Sequence, residues 1–161
     1  ADPAVDPAKV GLTGGSYGGY MCYAAAVQLK DKLTATQCTV AISNFVSFLE
    51  NTNPYRQDLR RVEYGDERDQ VQRAKLAEIS PLTRVGEITK PMFVITGAND
   101  PRVPKSEADQ MVAAIRQNGG EAWHLVAADE GHGFRKKANS DWFGAAGIVR
   151  RHPEVIEQAG A

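Results

Sequence analysis

The 161-residue sequence lacks a long hydrophobic run and a marked excess of charge of either sign. No apolar run approaches the roughly 18 residues of a membrane-spanning helix, so no membrane partner is expected. The formal net charge of −1 at pH 7 gives no electrostatic reason to expect binding to nucleic acid. With 42% hydrophobic and 24% charged residues, the composition favours one globular domain over residues 1–161.

Cysteine is scarce, since only Cys22 and Cys38 are present, and two cysteines do not form a disulfide scaffold. Cys22 falls in a predicted helix and is expected to be a small buried apolar residue. A bridge between the two is possible but is not expected, so a reducing, cytoplasmic location is the prediction. No signal peptide is visible, and a chain that starts at Ala1 is compatible with a processed product or a piece of something longer.

Short apolar runs alternate with stretches of helical spacing along the chain. The runs predict strands at residues 9–13, 39–43, 92–96 and 122–127. Helices are predicted at residues 18–30, 59–66, 69–79, 106–118 and 140–151, the fourth capped by Ser106. Residues 44–55 are rich in aromatic side chains and are predicted as a loop, which either lines a substrate pocket or anchors itself to the surface. This alternation favours an α/β fold with a parallel sheet covered on both faces.

The sequence GGSYGGY at residues 14–20 joins the first predicted strand to the first helix. Its core, Gly14-x-Ser16-x-Gly18, is typical of a nucleophile elbow, in which a serine at a strained turn exposes its hydroxyl. Gly14 and Gly18 are expected because the strand and the helix must approach each other closely. Tyr20 stands where a P-loop needs lysine, and no dinucleotide fingerprint is present here. A structural glycine-rich turn is the alternative interpretation.

A serine hydroxyl needs a base, and the base needs a carboxylate that orients it. Of the three histidines, His124 falls in a predicted strand and His152 in the tail, whereas His132 follows the last strand in a glycine-flanked loop. Asp100 follows the third strand. Asp129 and Glu130 lie too close to His132 along the chain to reach its far nitrogen. The order Ser16, Asp100, His132 is that of α/β-hydrolases.

Three motifs together resemble the catalytic domain of the prolyl oligopeptidase family of serine peptidases, most of all its acylaminoacyl-peptidase-like and dipeptidyl-peptidase-like bacterial members. They are GGSYGGY at residues 14–20, GANDPRVP at residues 97–104 and DEGHGF at residues 129–134. The resemblance implies a partial α/β-hydrolase fold, with a parallel sheet of about four strands flanked by helices. It also implies cleavage of short peptides through an acyl-enzyme, without a cofactor or a metal ion.

By this resemblance Ser16 is the nucleophile, Asp100 the orienting acid and His132 the base. The backbone N–H of Tyr17 would be one oxyanion donor, and Arg102 would contact a substrate carbonyl. From the residues alone, Arg102 is equally a surface residue in an ion pair. A carboxylesterase with the same triad and a catalytically silent, oligomerising module are the alternative functions.

In that family a β-propeller and the first half of the hydrolase sheet precede the elbow. The sequence is therefore expected to be the C-terminal half of a hydrolase domain, with the second oxyanion donor outside it. A sheet lacking strands on one side leaves an apolar edge open. This predicts self-association, or a partner chain that supplies the missing half-domain.

Overall fold

The computed structural model describes residue 6 and residues 8–151. The strands are β1 (Gly11–Gly15), β2 (Ala35–Thr39), β3 (Met92–Gly97) and β4 (Ala122–Ala127). The helices are α1 (Tyr17–Leu29), α2 (Phe45–Asn51), α3 (Pro54–Tyr64), α4 (Gln70–Glu78), α5 (Lys105–Gln117) and α6 (Lys137–Arg151). Two 3₁₀ segments lie at Lys30–Lys32 and Pro81–Glu87. Within the described residues, no helix combines the length and the apolar character needed to cross a bilayer.

The strands form one parallel sheet in the order β1-β2-β3-β4, which confirms the predicted fold class. Each connection crosses from the end of one strand to the start of the next, so all four carboxyl ends meet at one edge. Every residue of β3 is buried, as expected for a strand covered on both faces. β1 lies at an edge of the described sheet and pairs only with β2 there.

The predicted amphipathic face of α5 is confirmed, because Ala108, Met111, Val112 and Ile115 are all buried in the main core. Their spacing places them on one side of the helix, against the sheet. The helix begins at Lys105 and its N-cap is Pro104, without a side-chain capping bond, so the predicted cap at Ser106 is wrong. The ring of Pro104 fixes φ near −55° at the N-cap, but its side chain offers no acceptor to the free N–H groups of the first turn.

The second strand was predicted at residues 39–43, but it lies at Ala35–Thr39. Its residues include Thr36 and Gln37, which are polar and nevertheless buried. The apolar residues that follow are buried as a turn leaving the sheet: Val40 has φ 44° and donates its N–H to the carbonyl of Ile95 at 2.8 Å. The apolar run therefore marked burial and not the extended conformation.

The aromatic stretch at residues 44–55 was predicted as a loop, but it forms α2 and the beginning of α3. Asn44 caps α2, because its side chain accepts a hydrogen bond from the N–H of Val46 at 2.9 Å. Phe45, Phe48 and Leu49 of α2 are buried in a second hydrophobic cluster. A seven-residue helix is too short to show a clear hydrophobic period in the sequence.

Cys22 and Cys38 form a disulfide bridge, which corrects the expectation of two separate thiols. Cys38 lies inside β2, in register with Gly14, and α1 packs back over this part of the sheet. The two Cα atoms are 5.7 Å apart, within the range that a bridge requires. The misplaced β2 boundary hid this proximity, because it put Cys38 ahead of the strand.

Candidate active site

Ser16 is the single residue between the last residue of β1 and the first residue of α1. Its φ of 59° lies in the left-handed region, which is unfavourable for a residue with a Cβ. Hydrogen bonds hold this geometry: Ser16 donates its N–H to Thr39 at 3.0 Å, and its carbonyl accepts from Gly19 and Tyr20. The turn therefore has the backbone geometry, as well as the sequence, that is typical of a nucleophile elbow.

Two glycines allow the strand and the helix to pack closely at this turn. Gly14 was predicted to do so, and Gly19 was not. A Cβ on Gly14 would lie 2.1 Å from the carbonyl oxygen of Gly18, so the expectation for Gly14 is confirmed. A Cβ on Gly18 would meet nothing within 4 Å, so the expectation for Gly18 is wrong. The crowded helical position is Gly19, where a Cβ would lie 2.7 Å from both Ala41 and the Thr39 carbonyl. α1 approaches β2 through Gly19.

The side chains of Ser16, His132 and Asp100 form one chain of hydrogen bonds. The Nε2 atom of His132 lies 2.9 Å from the Oγ atom of Ser16, and its Nδ1 atom lies 2.7 Å from Oδ2 of Asp100. The other carboxylate oxygen of Asp100 accepts the N–H groups of Arg102 at 2.8 Å and Val103 at 3.1 Å. The side chain of Asp100 is fully buried and that of His132 is 13% exposed. The contact between the carboxylate and the imidazole is therefore largely shielded from solvent.

Backbone pairing aligns the loop that carries Asp100 with the loop that carries His132. The N–H of Ala98 donates to the carbonyl of Ala127 at 2.9 Å, which extends the β3–β4 pairing beyond the strands. The carboxylate of Glu130 turns away from His132 and accepts the N–H groups of Arg135 and Lys136. Asn139 also donates to Glu130, and this bond, ahead of other causes, lowers the pKa of the carboxyl. Glu130 thus organises the segment after His132 and does not compete with Asp100.

This arrangement can activate a hydroxyl for acyl transfer, because the imidazole can take the Ser16 proton while the carboxylate stabilises the imidazolium. Tyr17 is the first residue of α1, so its backbone N–H has no carbonyl acceptor one turn earlier. This N–H and the positive end of the helix dipole lie next to Ser16, where negative charge would develop.

The description "Prolyl oligopeptidase family" belongs to the family model that matches residues 1–144 of this chain. The chain belongs to the prolyl oligopeptidase family. Dipeptidyl peptidase family member 6 of Caenorhabditis elegans is 38% identical over 136 residues, which are 82% of this chain and 18% of that protein. Dipeptidyl aminopeptidase BIII of Pseudoxanthomonas mexicana is 36% identical over 142 residues, 85% of this chain and 20% of that protein.

Among solved structures, a puromycin-hydrolyzing peptidase of Mycobacterium tuberculosis superposes with a TM-score of 0.79 and 28% identity. The match covers 92% of this chain and 22% of that one. The acylaminoacyl peptidase of Pyrococcus horikoshii superposes with a TM-score of 0.74 at 23% identity, covering 81% of this chain and 21% of that chain, and shows the same fold. This chain therefore spans about a fifth of the length of the relatives that it matches.

A cavity of about 180 Å³ opens beside Ser16 in this family member. Its apolar wall consists of Ile42, Phe48, Tyr64 and Val103, and Tyr17 stacks on Tyr64 with the ring planes 3° apart. Phe48 of the aromatic segment lines this cavity, whereas the use of the cavity by a substrate stays a prediction. Arg102 lines the same cavity, and its contact with a substrate carbonyl stays a prediction.

Sequence reasoning missed the four residues that α3 contributes to this cavity, which are Arg56, Arg60, Glu63 and Tyr64. Separations of three or four residues from Arg60 place the other three on the same face of a helix, and this was the available signal. It was overlooked because the helix was predicted to begin only at residue 59.

His124 is a half-buried residue of β4. Its Nδ1 atom lies 3.8 Å from the carboxylate of Asp109, and burial lowers the pKa of its imidazole.

His152, which the sequence analysis placed in the tail, lies outside the described residues.

Proposed function

We propose that this chain provides the acyl-transfer site of a serine peptidase that cleaves short peptides through an acyl-enzyme. The observation that carries the proposal is the unbroken chain of hydrogen bonds from Ser16 through His132 to Asp100. The order of these residues along a member of the prolyl oligopeptidase family supports it. Several matched relatives carry peptidase names, which supports a peptide as the substrate.

In the proposed reaction the Oγ atom of Ser16 attacks the scissile carbonyl while Nε2 of His132 accepts its proton. Asp100 keeps the Nδ1 proton on the imidazole and stabilises its charged form. His132 then donates the proton to the leaving amine, and a water molecule repeats the sequence to release the acyl group. The N–H of Tyr17 binds the oxyanion, and Arg102 contacts a carbonyl of the bound substrate.

We further propose that residues 1–161 form one domain, equivalent to the C-terminal half of a hydrolase domain. The match over about a fifth of longer relatives supports this equivalence. In this view the second oxyanion donor comes from outside the described residues. Removing one such donor typically costs about 10²–10³-fold in turnover, so weak activity of the chain by itself is expected.

The edge of β1 is the proposed site of self-association, or of contact with a chain that supplies further strands. Exposed apolar side chains support the proposal: Val10 lies next to β1 in the chain, and Met21 and Leu29 belong to α1, which packs on β1. Unpaired strand edges readily accept another strand. Sedimentation equilibrium tests this prediction, and a monomer at all concentrations contradicts it.

A fluorophosphonate probe tests the proposed nucleophile directly, with the adduct located by peptide mass spectrometry. We expect one adduct, on Ser16, and none in the Ser16→Ala variant. Ser106→Ala is the matched control, because Ser106 is exposed and lies outside the cavity. A folded protein that forms no adduct supports the silent module and contradicts the proposal. Comparing dipeptidyl anilides with p-nitrophenyl esters then separates a peptidase from a carboxylesterase.

A cytoplasmic location stays a prediction, and the Cys22–Cys38 bridge argues against it. Disulfides persist mainly in oxidising compartments. Acid quenching of its native cells, followed by alkylation under denaturing conditions and mass measurement, distinguishes the two cases, because both sulfurs are buried in the folded protein. Two alkylated cysteines support the cytoplasm, whereas none supports an oxidising compartment.

A further inference from the structure

The cavity beside Ser16 carries more positive than negative charge. Arg56, Arg60 and Arg102 line it, and Glu63 is the only carboxylate among its described lining residues. Arg60 forms an ion pair with Glu63 and lies over the ring of Tyr64, so its charge is balanced within α3. Arg56 and Arg102 have no ion-pair partner among the described residues. Two guanidinium groups therefore face the cavity without a counter-charge.

Of these two, Arg56 is the more constrained. It is half-buried, its guanidinium carbon lies 5.8 Å from the ring centre of Tyr55, and its Nε atom is buried without a hydrogen-bond acceptor. An arginine stays charged in a protein and presents its N–H groups as a planar fork that matches a carboxylate. A buried donor without an acceptor is costly, so a ligand that supplies the acceptor is favoured.

The position of the imidazole indicates which part of a substrate enters the cavity. His132 donates a proton to the leaving group, so the leaving group lies on the His132 side of the scissile bond. Ser16 and Tyr17 line the cavity, whereas His132 is not among its lining residues. The cavity therefore lies on the acyl side of the bond, beside the nucleophile and the proposed oxyanion donor.

We propose that this cavity selects peptides with a carboxylate side chain at the residue on the acyl side of the scissile bond, and that Arg56 binds that carboxylate. This inference rests on the proposed function in one respect, which is that the bound peptide is a substrate. Binding of a carboxylate by Arg56 does not depend on it. The apolar wall holds the aliphatic part of a glutamate side chain, and the guanidinium of Arg56 supplies a charge-assisted bond to its end. Arg102 keeps its proposed contact with a carbonyl.

Equilibrium binding to the Ser16→Ala protein tests the selection without requiring catalysis. The ligands are N-acetyl-Ala-Glu-amide and N-acetyl-Ala-Gln-amide, which differ only in the charged group, and the measurement is titration calorimetry at low salt. We expect the glutamate peptide to bind about 10- to 100-fold more tightly, as a charge-assisted hydrogen bond allows. Added salt should reduce this ratio.

Substitutions in the same background identify the residue responsible. Arg56→Gln should abolish most of the ratio while leaving the affinity for the glutamine peptide unchanged, and Arg56→Lys should keep part of it. Arg84→Gln is the matched control, because Arg84 is paired with Glu87 and does not line the cavity. The ratio of the affinities for the glutamate and glutamine peptides should be the same in this control as in the Ser16→Ala protein. Circular dichroism confirms that each variant is folded.

Several results would overturn the inference. Equal affinities, no measurable binding of the glutamate peptide at millimolar concentration, or a ratio that survives Arg56→Gln each contradict it. The carboxylate could instead be the C-terminal carboxylate of a peptide. Comparing N-acetyl-Ala-Gln-Ala, which has a free carboxyl end, with its C-terminal amide tests this alternative. A preference for that free acid alone would place the carboxylate on the leaving-group side. Fluorophosphonate labelling of Ser16 does not depend on Arg56, so the proposed function can fail or hold separately.

Discussion

Reducing the Cys22–Cys38 disulfide should destabilise the protein by a predictable amount. Both residues are almost completely buried, at 1% and 0% exposure, so the thiols would occupy nearly the same core positions after reduction. The main change then lies in the unfolded chain, which loses a cross-link between residues separated by 16 positions. In the chain-entropy model, a loop of this length corresponds to about 3 kcal/mol at 25 °C.

A loss of this size is large compared with the 5–15 kcal/mol that typically stabilises a folded protein. For a domain of this length each kcal/mol corresponds to a shift of about 2–4 °C, so the melting temperature should fall by about 6–12 °C. The assay compares thermal and urea unfolding of the oxidised and the reduced protein, with the thiol state checked by mass. The variant with both Cys22→Ala and Cys38→Ala is the control, because a reductant should leave its stability unchanged.

The reasoning fails if the fully reduced protein unfolds at the same temperature and urea concentration as the oxidised one. It also fails if the purified protein, kept from reductant, contains two free thiols. A reductant effect of equal size in the double alanine variant would mean that the reductant acts elsewhere in the molecule.

Three further predictions concern the site and its support. Asp100→Asn should lower kcat by about 10⁴-fold with little change in melting temperature, because the amide selects the wrong imidazole tautomer; unchanged turnover would exclude Asp100 as the orienting acid. Gly19→Ala should cost about 1–3 kcal/mol in urea unfolding, because its Cβ would lie 2.7 Å from Ala41, whereas Gly18→Ala should be neutral or stabilising. Burial raises the pKa of Glu107 above its usual 4.5, so its contribution to stability is present below that value and lost as the pH rises through the raised pKa. Glu107→Gln should therefore gain stability relative to the parent as the pH rises, and parallel stability curves in urea unfolding would contradict this.

The fold class and the meeting of the three site residues could be predicted because each depends on local signals. Short apolar runs located β3 and β4 well, since these strands are bounded by polar or glycine-rich turns. Ser16, Asp100 and His132 each follow the end of a strand, and parallel strands bring such ends to one edge. Their convergence is observed, whereas their chemical roles stay predictions that the Ser16 and Asp100 variants test.

The features that sequence reasoning missed depend on contacts between distant segments. Thr36 and Gln37 are polar, so nothing local shows that β2 passes through the interior of the sheet. The Cys22–Cys38 bridge required that strand to be placed correctly first. Arg56 is the exception, because its helical spacing from Arg60 and Tyr64 is a local signal, which was hidden by the predicted helix start at residue 59.

Long-range contacts also tie the cavity to the residue that orients the imidazole. One oxygen of Asp100 accepts the N–H of Arg102, and the carbonyl of Arg102 accepts the Oγ1–H of Thr52 at 2.8 Å. Thr52 is buried and lies between α2 and α3, the helices that carry Phe48 and Arg56 to the cavity. The loop that sets the carboxylate against the imidazole therefore also sets the wall of the cavity.

A second set of contacts fixes the beginning of the same segment. The fully buried carboxylate of Glu107 accepts the N–H groups of Ser43 at 3.0 Å and Asn44 at 2.9 Å, and it also accepts the hydroxyl of Ser47. α5 thus holds the start of α2, while the Asp100 loop holds its end through Thr52. Because both ends are held, a change at either one should displace the cavity wall relative to Ser16. Such a change should raise KM more than it lowers kcat, whereas loss of Asp100 itself should act mainly on kcat.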